Sequence, residues 1–490
     1  MATNLDDRFR ETVSRQPDHP AILGPGPDER LTYAQLDAAI EATAAEMRSA
    51  GLGPGMCCGL HYPSGVDYII HNYAIWRCGA TVVPIAVELA AEEKADVVRR
   101  IHLSFVVSSP TPIPIVAEQR AGDPARISAK ADIIKLKPSG THPAGFRDVD
   151  ASFIRFTSGT TGTSKGVILS HNTVFERIVA ANEVLHIGPE DRVMWMLSMS
   201  YHFTVSIVGY LTFGAAIVLA KNNFAVAIAN AIRDHKATLL YASPMHCALL
   251  ADYEAGEPMT SLRLAISTTT SLDERVAERF RERYGLPISQ ALGLIEVGLP
   301  CINVQHAGRK HGSVGPVLPA YEIKLEDTGL GDGLREVCFR GPGCLDAYYH
   351  PWRTRDDIMP DGWFRTHDVG EVDDDGCLFL RGRSKDLINV AGMKFFPHEV
   401  ESVLQDHPRV AEACVFSHPH DRTGEVARAH VVPTPGPLTD GLEQQLRSHC
   451  QLHIAAYKVP ERIEFVDRLA RTASGKILHR IPARRESPSR

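Results

Sequence analysis

The chain has 490 residues, which is too long for a single compact core, so its length predicts two or three domains. Its hydrophobic content of 44% is that of an ordinary soluble globular protein. The net charge of −7 at pH 7 lacks the basic footprint of a nucleic-acid-binding protein, which argues against nucleic acid as a partner.

The cysteines and the N-terminal segment bear on the cellular compartment. The ten cysteines include no Cys-x-x-Cys pair, which supports neither a zinc site nor a disulfide framework and fits a reducing cytosol. Residues 1–8 are polar and acidic, and no run of residues is long enough to span a bilayer. We therefore expect a cytoplasmic protein without a membrane partner, present as a monomer or a homodimer.

Helix and strand patterns alternate in the first part of the chain. Apolar residues recur at helical spacing over residues 31–50, and residues 68–85 read as a helix followed by a strand. This alternation predicts an α/β domain with a largely parallel sheet. Residues 117–149 are polar and irregular, which predicts a connecting loop that leads to the next strand.

Residues 156–167 are the most informative stretch of the sequence. Three glycines allow left-handed backbone conformations that turn successive N–H groups toward one centre, and six hydroxyls and a lysine add side-chain donors. Such a loop suits an anion, although these residue types are also typical of a flexible surface loop. Strand-like runs at residues 153–156 and 167–169 flank the stretch and favour anion binding.

The stretch resembles the phosphate loop of the adenylate-forming superfamily, which includes acyl-CoA ligases, luciferases and peptide-synthetase adenylation domains. The usual form there is Tyr-Thr-Ser-Gly-Thr-Thr-Gly-x-Pro-Lys-Gly-Val, from which this chain departs at Phe156 and Ser164. The stretch is not a P-loop, because no glycine directly precedes its lysine. The resemblance implies that the phosphates of ATP contact Thr157, Ser158, Gly159, Thr160, Thr161 and Lys165.

A histidine, His202, follows the strand-like residues 193–197 and precedes an apolar stretch that predicts one long helix over residues 204–213. By spacing alone, such a histidine is more often structural than functional. The resemblance implies a catalytic role, in which His202 lies near the acyl carboxylate and orients it. Amino-acid-activating relatives carry an aspartate in this region, and residues 194–219 contain none, which argues against an α-amino acid substrate.

Two further strand patterns, at residues 239–244 and 262–267, end in small or polar residues, where ligands bind in parallel sheets. Directly after the second pattern, where relatives have a glycine-rich turn against adenine, this chain has Thr268 and Thr269. β-Branched threonines add bulk where the base approaches the backbone closely. Thr268 is therefore part of the predicted nucleotide site.

Residues 290–296 fall where the superfamily shows Tyr-Gly-x-Thr-Glu. Gly293 and Glu296 match, whereas Leu292 replaces an aromatic residue that would stack on adenine, and Ile295 replaces a hydroxyl that would meet the phosphates. We place Leu292, Gly293 and Ile295 in the nucleotide site, and Glu296 is the candidate Mg²⁺ ligand. The alternative for Glu296 is a surface glutamate at the start of a helix.

Residues 362–368 resemble the segment Gly-Trp-x-x-Thr-Gly-Asp, in which the aspartate accepts hydrogen bonds from both ribose hydroxyls. The resemblance assigns that role to Asp368. His367 takes the place of the glycine, so we expect its imidazole to displace something beside the nucleotide pocket. The acidic residues 373–376 predict a solvated hairpin turn rather than a metal site.

A charged break with few apolar residues, at residues 381–388, predicts the domain boundary. The resemblance implies a large N-terminal multi-sheet α/β domain at residues 1–382 that binds the acyl group and the nucleotide. A hinge follows at residues 383–386, and a small mobile C-terminal α+β domain follows at residues 387–490.

The remaining implied site residues lie in or after this hinge. By the resemblance, Arg383 contacts the ribose, and Lys385 absorbs the backbone rotation between the two half-reactions. Gly392 lines the tunnel for the pantetheine arm, although its segment also fits an ordinary hairpin. Lys476 matches the catalytic lysine whose charge bridges the carboxylate and the α-phosphate in the transition state.

The resemblance implies an acyl-CoA ligase, which joins a carboxylic acid to coenzyme A through an acyl-adenylate and uses ATP and Mg²⁺. The absence of an ammonium partner and the apolar pair Ile207-Val208 favour a hydrophobic acid that is not an amino acid. Because the departures cluster on the nucleotide side, one alternative is an enzyme with weak or lost adenylation that uses acyl-AMP from a separate adenylating enzyme. Two more alternatives are a carrier-protein ligase and a non-catalytic acyl-nucleotide-binding protein.

Overall fold

The chain divides into two compact units. The first unit consists of Met1–Ile323, Phe339–Phe364 and Val372–Phe379, and the second of Lys324–Cys338, Arg365–Glu371 and Leu380–Arg490. The computed structural model describes residues 4–109, 119–157, 165–254, 258–329, 333–436, 441–471 and 477. The predicted hinge at residues 383–386 falls within the last segment of the second unit and stays a prediction.

Helices and strands alternate in the first part of the chain, as predicted. In chain order they are α1 (Leu5–Arg15), β1 (Pro20–Leu23), β2 (Arg30–Thr32), α2 (Tyr33–Ser49), β3 (Cys57–His61), α3 (Val66–Arg77), β4 (Thr81–Pro84), α4 (Ala91–Arg100) and β5 (Phe105–Ser108). Next come β6 (Ala125–Ser128), β7 (Ala131–Lys135), β8 (Ala151–Thr157), β9 (Lys165–Ser170), α5 (His171–Leu185), β10 (Arg192–Trp195), α6 (Met199–His202), α7 (Ile207–Thr212) and β11 (Ala216–Val218).

The second part of the chain contains more strands than helices. It continues with α8 (Ala225–His235), β12 (Leu239–Ala242), α9 (Pro244–Ala251), β13 (Leu264–Ser267), α10 (Glu274–Tyr284), β14 (Ile288–Leu294), β15 (Gly298–Ile302), β16 (Gly315–Pro316), β17 (Glu322–Asp327), β18 (Arg335–Arg340), β19 (Ala347–Tyr348), β20 (Arg353–Thr354) and α11 (Arg355–Ile358). It ends with β21 (Phe364–Val372), β22 (Cys377–Arg383), β23 (Ile388–Val390), β24 (Met393–Phe395), α12 (Pro397–Gln405), β25 (Val410–His420), β26 (Gly424–Pro433), α13 (Leu442–His453) and β27 (Arg462–Phe465).

Local sequence explains where the predicted helix over residues 31–50 begins. The Thr32 hydroxyl accepts a hydrogen bond from the Gln35 backbone N–H at 3.2 Å, and the Gln35 side chain accepts one from the Thr32 N–H at 2.9 Å. This reciprocal capping box satisfies two N–H groups that have no partner inside the helix. The prediction is confirmed as α2.

The first sheet has eight strands in the order β15-β14-β13-β12-β10-β11-β1-β2. Six of these strands, from β14 to β1, run parallel, and antiparallel strands β15 and β2 close the two edges. One face packs against α8, α9 and α10 through a buried apolar cluster that includes Met194, Leu240 and Phe280. In the opposite pleat direction, Trp195 of β10 lies in register with Tyr241 of β12.

The second sheet has nine strands in the order β20-β19-β9-β8-β4-β3-β5-β7-β6. The prediction that residues 117–149 only connect two elements is wrong, because β6 and β7 pair antiparallel and extend this sheet at β5. Ile127, Ile133 and Ile134 are buried, so this polar segment supplies enough apolar side chains for an edge hairpin.

The two remaining sheets have five strands each. One has the order β16-β22-β21-β18-β17, and the other has the order β24-β23-β26-β25 with β27 paired to β26. In the second unit, the latter sheet packs with α12 and α13 around an apolar core that includes Phe395, Val400, Leu404, Val431 and Leu446. No helix in the described part of the chain is long and apolar enough to cross a membrane.

Candidate active site

The strands on either side of the glycine-rich loop are confirmed. β8 and β9 pair antiparallel as far as Thr157 opposite Lys165, so the two ends of the loop lie side by side. Lys165 Nζ lies 4.7 Å from the ring centre of Tyr348 on the neighbouring strand β19. The phosphate contacts of the loop stay a prediction, because the described residues do not include Ser158, Gly159, Thr160, Thr161 and Ser164.

His202 is the last residue of α6, which follows β10. The Ser206 hydroxyl donates to the His202 carbonyl, and the imidazole meets the Trp195 ring edge-on, with the ring centres 6.3 Å apart. The predicted single helix over residues 204–213 is wrong. Ser206, with φ −147° and ψ −72°, leaves helical geometry, so a short 3₁₀ turn at Phe203–Val205 and then α7 follow α6.

An aromatic cluster of three buried residues lies next to His202. Trp195 stacks on Tyr241 with ring centres 5.2 Å apart and an interplanar angle of 10°. The Tyr210 ring centre lies 6.1 Å from that of Trp195 and 6.5 Å from that of Tyr241. Of these three rings, that of Trp195 contacts the imidazole, and the two tyrosine rings pack against Trp195.

Two threonines directly follow β13. Thr268 is buried, and its hydroxyl donates to the Ala291 carbonyl on β14 at 3.0 Å. Thr269 has φ +88°, a backbone region that glycine favours and that β-branched residues rarely adopt. The backbone at Thr269 therefore has the conformation expected of the glycine that relatives carry in this turn, although the residue here is a bulkier threonine.

The residues of the adenine and metal motif lie at the β14–β15 hairpin. Leu292 and Gly293 belong to the end of β14, and Ile295 and Glu296 form the turn before β15. The alternative that Glu296 starts a surface helix is therefore wrong. A Cβ atom at Gly293 would meet no protein atom closer than 3.4 Å, so packing does not require glycine there, and the space is compatible with a close ligand.

Two arginines that sequence analysis did not single out lie near this hairpin. Arg155 on β8 donates from Nη1 to the Tyr201 carbonyl at 2.5 Å, and its guanidinium lies 5.3 Å from the Tyr201 ring centre. Arg177 on α5 is 2% exposed and donates from Nε to the Gly343 carbonyl at 2.6 Å. For Arg155, the sequence feature that could have indicated a functional role is its position as a single arginine in the otherwise apolar run of residues 153–156.

The electrostatics of these arginines connect them to Glu296. Burial lowers the pKa of the Arg155 guanidinium and that of the Arg177 guanidinium, and the negative charge of Glu296 opposes this effect on both. The positive charge of Arg177 contributes to lowering the pKa of Arg155. Arg155, Arg177 and Glu296 therefore interact electrostatically, and the negative charge of Asp346 also opposes the lowering of the pKa of Arg177.

The implied Mg²⁺ ion requires oxygen ligands from the protein or from a substrate. Within the described ranges, no group of three or more His, Cys, Asp or Glu side chains could hold a metal ion. Mg²⁺ commonly keeps several waters and uses one or two carboxylates together with substrate phosphates. A single carboxylate at Glu296 therefore fits a metal ion that binds together with a nucleotide.

In the second unit, Asp368 and Arg383, which are each predicted to contact the ribose, are hydrogen-bonded to each other. Asp368 is 8% exposed, and its Oδ1 accepts a hydrogen bond from Arg383 Nε at 3.0 Å. The Asp368 N–H donates to the Thr366 hydroxyl at 3.0 Å, and that hydroxyl donates to the Val337 carbonyl at 2.7 Å. A carboxylate accepts about four hydrogen bonds, so the bond from Arg383 is compatible with the ribose contact that we predict.

His367 adopts φ +62°, in the left-handed region that the usual glycine would favour. Its N–H donates to Glu336 Oε1 at 2.7 Å, and its Nδ1 lies 3.1 Å from the same oxygen. The imidazole is 61% exposed. The ring therefore lies beside Glu336 at the surface, and its effect on the nucleotide pocket stays a prediction.

The last predicted site residues lie on short connections of the second unit. Lys385 is in the 3₁₀ turn Ser384–Asp386, and Gly392, with φ +90°, follows Ala391, with φ +50°, in the two-residue loop of the β23–β24 hairpin. The hairpin is confirmed, whereas the hinge role of Lys385 and the tunnel role of Gly392 stay predictions. Lys476 lies outside the described residues.

The acidic residues 373–376 form the turn between β21 and β22, as predicted. Lys310 Nζ lies 2.6 Å from Asp373 and 2.5 Å from Asp375, so one lysine bridges two of the three aspartates. Gly376 takes φ +76° at the end of the turn. The side-chain partner of these carboxylates is a lysine, which fits a structural turn rather than a metal site.

Comparison with known proteins identifies the family to which the chain belongs. The model of the AMP-binding enzyme family matches residues 9–349, and the model of the AMP-binding enzyme C-terminal domain matches residues 399–476. A probable CoA ligase, CCL9, from Humulus lupulus is 30% identical over 99% of this chain and 97% of its own length. The 2-succinylbenzoate–CoA ligase of Bacillus licheniformis is 29% identical over 96% of this chain and 98% of its own length.

A solved structure agrees with the fold. The o-succinylbenzoate CoA synthetase of Bacillus subtilis, in complex with its acyl-adenylate intermediate, covers 96% of both chains with a TM-score of 0.83 at 24% identity. The predicted architecture, with a large N-terminal multi-sheet α/β domain and a smaller C-terminal domain, is confirmed. The chain belongs to the AMP-binding enzyme family, and thus to the adenylate-forming enzymes that its glycine-rich loop resembles.

Proposed function

We propose that this chain is an acyl-CoA ligase that activates a carboxylic acid with ATP and transfers the acyl group to coenzyme A. Two relatives with high coverage are named as CoA ligases. The observation that carries the proposal is the buried Arg177 guanidinium, which packs against Gly298 of the hairpin that carries Glu296 and whose Nη1 and Nη2 have no hydrogen-bond partner among the described residues. Two guanidinium groups and one carboxylate suit a substrate that combines several phosphates with a divalent cation.

The first unit supplies the proposed contacts to the acid, the phosphates and the base. His202 orients the substrate carboxylate, and Glu296 holds Mg²⁺, which neutralises phosphate charge when it is bound. The phosphates contact the loop that ends at Lys165, and the base and α-phosphate lie near Thr268, Leu292, Gly293 and Ile295. The exposed backbone of Gly293 supports this assignment, because the fold itself leaves the space beside it open.

The second unit supplies the proposed contacts to the ribose and the thiol. The buried Asp368 carboxylate, held by Arg383, accepts from the ribose hydroxyls. Lys476 stabilises the charge that develops as a carboxylate oxygen attacks the α-phosphorus and pyrophosphate leaves. In the second step the thiol of coenzyme A passes the backbone at Gly392, attacks the acyl carbon and releases AMP, after rotation at Lys385.

The proposed acid is hydrophobic and is not an amino acid. The buried rings of Trp195, Tyr210 and Tyr241 beside His202 support an apolar acyl or aryl group. Residues 194–219 contain no aspartate or glutamate that could pair with a substrate ammonium group. The two relatives described above differ from this chain at about seven positions in ten, so the acid itself must come from experiment.

The test is an ATP–pyrophosphate exchange assay over a panel of carboxylic acids, followed by detection of the acyl-CoA. We expect exchange with a subset of apolar acids and acyl-CoA formation with the same subset. Acyl-CoA formation from a synthetic acyl-adenylate, without any exchange, would favour the alternative of weak or lost adenylation. The strained Thr269 turn is the observation that favours this alternative.

The same assay separates the two remaining alternatives. A carrier-protein ligase would form the adenylate but would load a pantetheine-bearing carrier protein in preference to coenzyme A. A non-catalytic binding protein would bind the acyl-adenylate without turnover, and substitution of Lys476 by alanine would leave its affinity nearly unchanged.

A further inference from the structure

Arg155 is the one charged residue of β8, whose residues are Ala-Ser-Phe-Ile-Arg-Phe-Thr. Ile154 belongs to a buried apolar cluster, and Phe156 packs against the same cluster. Because side chains alternate along a strand, Arg155 lies on the opposite face of the sheet. The strand ends two residues later, so this arginine precedes the glycine-rich loop directly.

The Arg155 guanidinium is anchored on one side. Its Nη1 donates to the Tyr201 carbonyl at 2.5 Å and its plane lies near the Tyr201 ring, and Tyr201 directly precedes His202. In the described part of the chain, the buried Nε has no hydrogen-bond partner, while the residue as a whole is partly exposed. The cation is thus held in place and retains donors for a further acceptor.

Arg177 adds a second guanidinium to the same place. Its Nη1 and Nη2 are buried and have no hydrogen-bond partner among the described residues. A Cβ atom at Gly298 would lie 3.1 Å from Arg177 Cγ, so the arginine packs against the hairpin that carries Glu296. A buried guanidinium whose donors lack a partner is costly, which favours an anionic group that binds beside it.

We propose that Arg155 contacts an anionic oxygen at the reaction centre, either of the substrate carboxylate or of the α-phosphate, and acts in the adenylation half-reaction. This inference rests on the proposed acyl-CoA ligase function. Carboxylate and phosphate oxygens share the geometry that a guanidinium recognises, and the experiment below distinguishes them.

The two half-reactions make different demands on such a cation. In adenylation, a carboxylate oxygen forms a bond to the α-phosphorus, the bond from phosphorus to the bridging oxygen breaks, and pyrophosphate leaves with the electron pair. Two anionic groups must approach each other, so a fixed positive charge lowers their repulsion. Thioester formation begins with a neutral acyl carbon and a thiol, so Arg155 contributes less to that step.

The neighbouring hairpin is consistent with this division of roles. Ile295, beside Glu296, offers no polar side-chain atom to an anion. Arg155 supplies a charged donor that interacts electrostatically with Glu296 in the same hairpin. An anion bound beside Ile295 therefore still has a side-chain donor, which Arg155 supplies.

The test uses Arg155→Gln and Arg155→Lys in the full-length chain, with Arg192→Gln as the matched control. Arg192, the first residue of β10, also donates from Nη1 to a backbone carbonyl, that of His235, at 2.7 Å. We expect Arg155→Gln to lower ATP–pyrophosphate exchange about tenfold to a hundredfold, because a charged hydrogen bond is lost. Arg155→Lys retains part of the exchange rate, and Arg192→Gln retains all of it.

Thioester formation from synthetic acyl-adenylate and coenzyme A is measured for the same variants. At saturating acyl-adenylate, we expect Arg155→Gln to change this rate less than about threefold, since the adenylate is already formed and saturation offsets any weaker binding of its phosphate. Equal losses in both half-reactions, with a lower melting temperature, would assign Arg155 a structural role and overturn the proposal. Unchanged exchange would overturn it as well.

Two binding measurements identify the anion and do not depend on turnover. A contact to the α-phosphate predicts that Arg155→Gln weakens AMP binding about tenfold or more, with adenosine binding unchanged. A contact to the carboxylate predicts a rise in KM for the acid alone. If the wild-type chain shows no ATP–pyrophosphate exchange and forms no acyl-CoA with any acid, the proposed function fails. The AMP and adenosine titrations still decide whether Arg155 binds phosphate.

Discussion

Each unit of the molecule contains a turn in which a residue other than glycine adopts the left-handed backbone region. Thr269 has φ +88° in the first unit, and His367 has φ +62° in the second. Both positions correspond to glycine in the motifs that the chain resembles. The energetic cost differs, because histidine is tolerated in this region far more often than a β-branched residue.

The difference lies in what surrounds each residue. His367 is compensated by Glu336, which accepts from its N–H at 2.7 Å and lies 3.1 Å from its ring nitrogen. Thr269 lies two residues after the end of β13, at the edge where ligands bind in parallel sheets, and strained residues are common at such sites. Both residues replace a glycine of the family motifs, but the backbone strain at His367 is offset by contacts with Glu336. The backbone strain at Thr269 remains, beside the proposed nucleotide site.

The largest expected effect concerns the neighbour of His367. Asp368→Asn removes the negative charge that Arg383 Nε contacts at 3.0 Å and one acceptor for the ribose. We expect kcat/KM for ATP to fall about a hundredfold, because a charge-assisted hydrogen bond and a ligand contact are lost together. Exchange kinetics measure it, with Asp374→Asn in the acidic turn as the control. An unchanged KM for ATP would contradict the ribose role.

In the first unit, Glu296→Gln tests the metal site on the hairpin next to the Thr269 turn. Glutamine keeps the shape of the side chain and removes the charge that Mg²⁺ requires, so we expect exchange at limiting Mg²⁺ to fall about thirtyfold. Raising Mg²⁺ should recover part of the rate. Glu282→Gln on α10 serves as the control. A rate independent of Mg²⁺ in both the variant and the wild type would exclude the assigned role.

The sequence predicts the ordered elements that carry the motifs because each is encoded locally. The apolar runs around β8, β12 and β13 end in glycine, serine or threonine, and such punctuation predicts strand ends without knowledge of the rest of the chain. The hydrogen bond between Asp368 and Arg383 joins two residues, only 15 positions apart, to which the resemblance assigns ribose contacts.

Other features depend on distant contacts. The break at Ser206 interrupts an apolar run that predicts one helix, and the polar segment of β6 and β7 is a strand pair because it pairs with β5. Arg155 and Arg177 are 22 residues apart, and both lie near Glu296 only after two sheets and a helix have packed. A single arginine in an apolar run does not reveal its partner.

Relief of the backbone strain at Thr269 is expected to raise stability, a smaller effect than the two losses of activity above. Thr269→Gly removes a β-branched residue from φ +88°, so we expect the free energy of unfolding to rise by about 1 kcal/mol. Urea denaturation followed by tryptophan fluorescence measures the change. Thr270→Gly is the matched control, since Thr270 is not among the residues with positive φ, and it should lower stability instead. A loss of stability in Thr269→Gly would show that the threonine side chain outweighs its backbone strain.

The smallest effect is expected at the second turn. His367→Gly relieves φ +62° but removes a ring whose Nδ1 lies 3.1 Å from Glu336, while the backbone N–H bond to Glu336 remains. Because the ring is largely exposed, these contributions are each small, and we expect a net change within about 0.5 kcal/mol. Glu336→Gln in both backgrounds completes a double-mutant cycle that isolates the ring contact. If His367→Gly instead raised stability as much as Thr269→Gly, Glu336 would not compensate the histidine, and the two turns would carry the same strain.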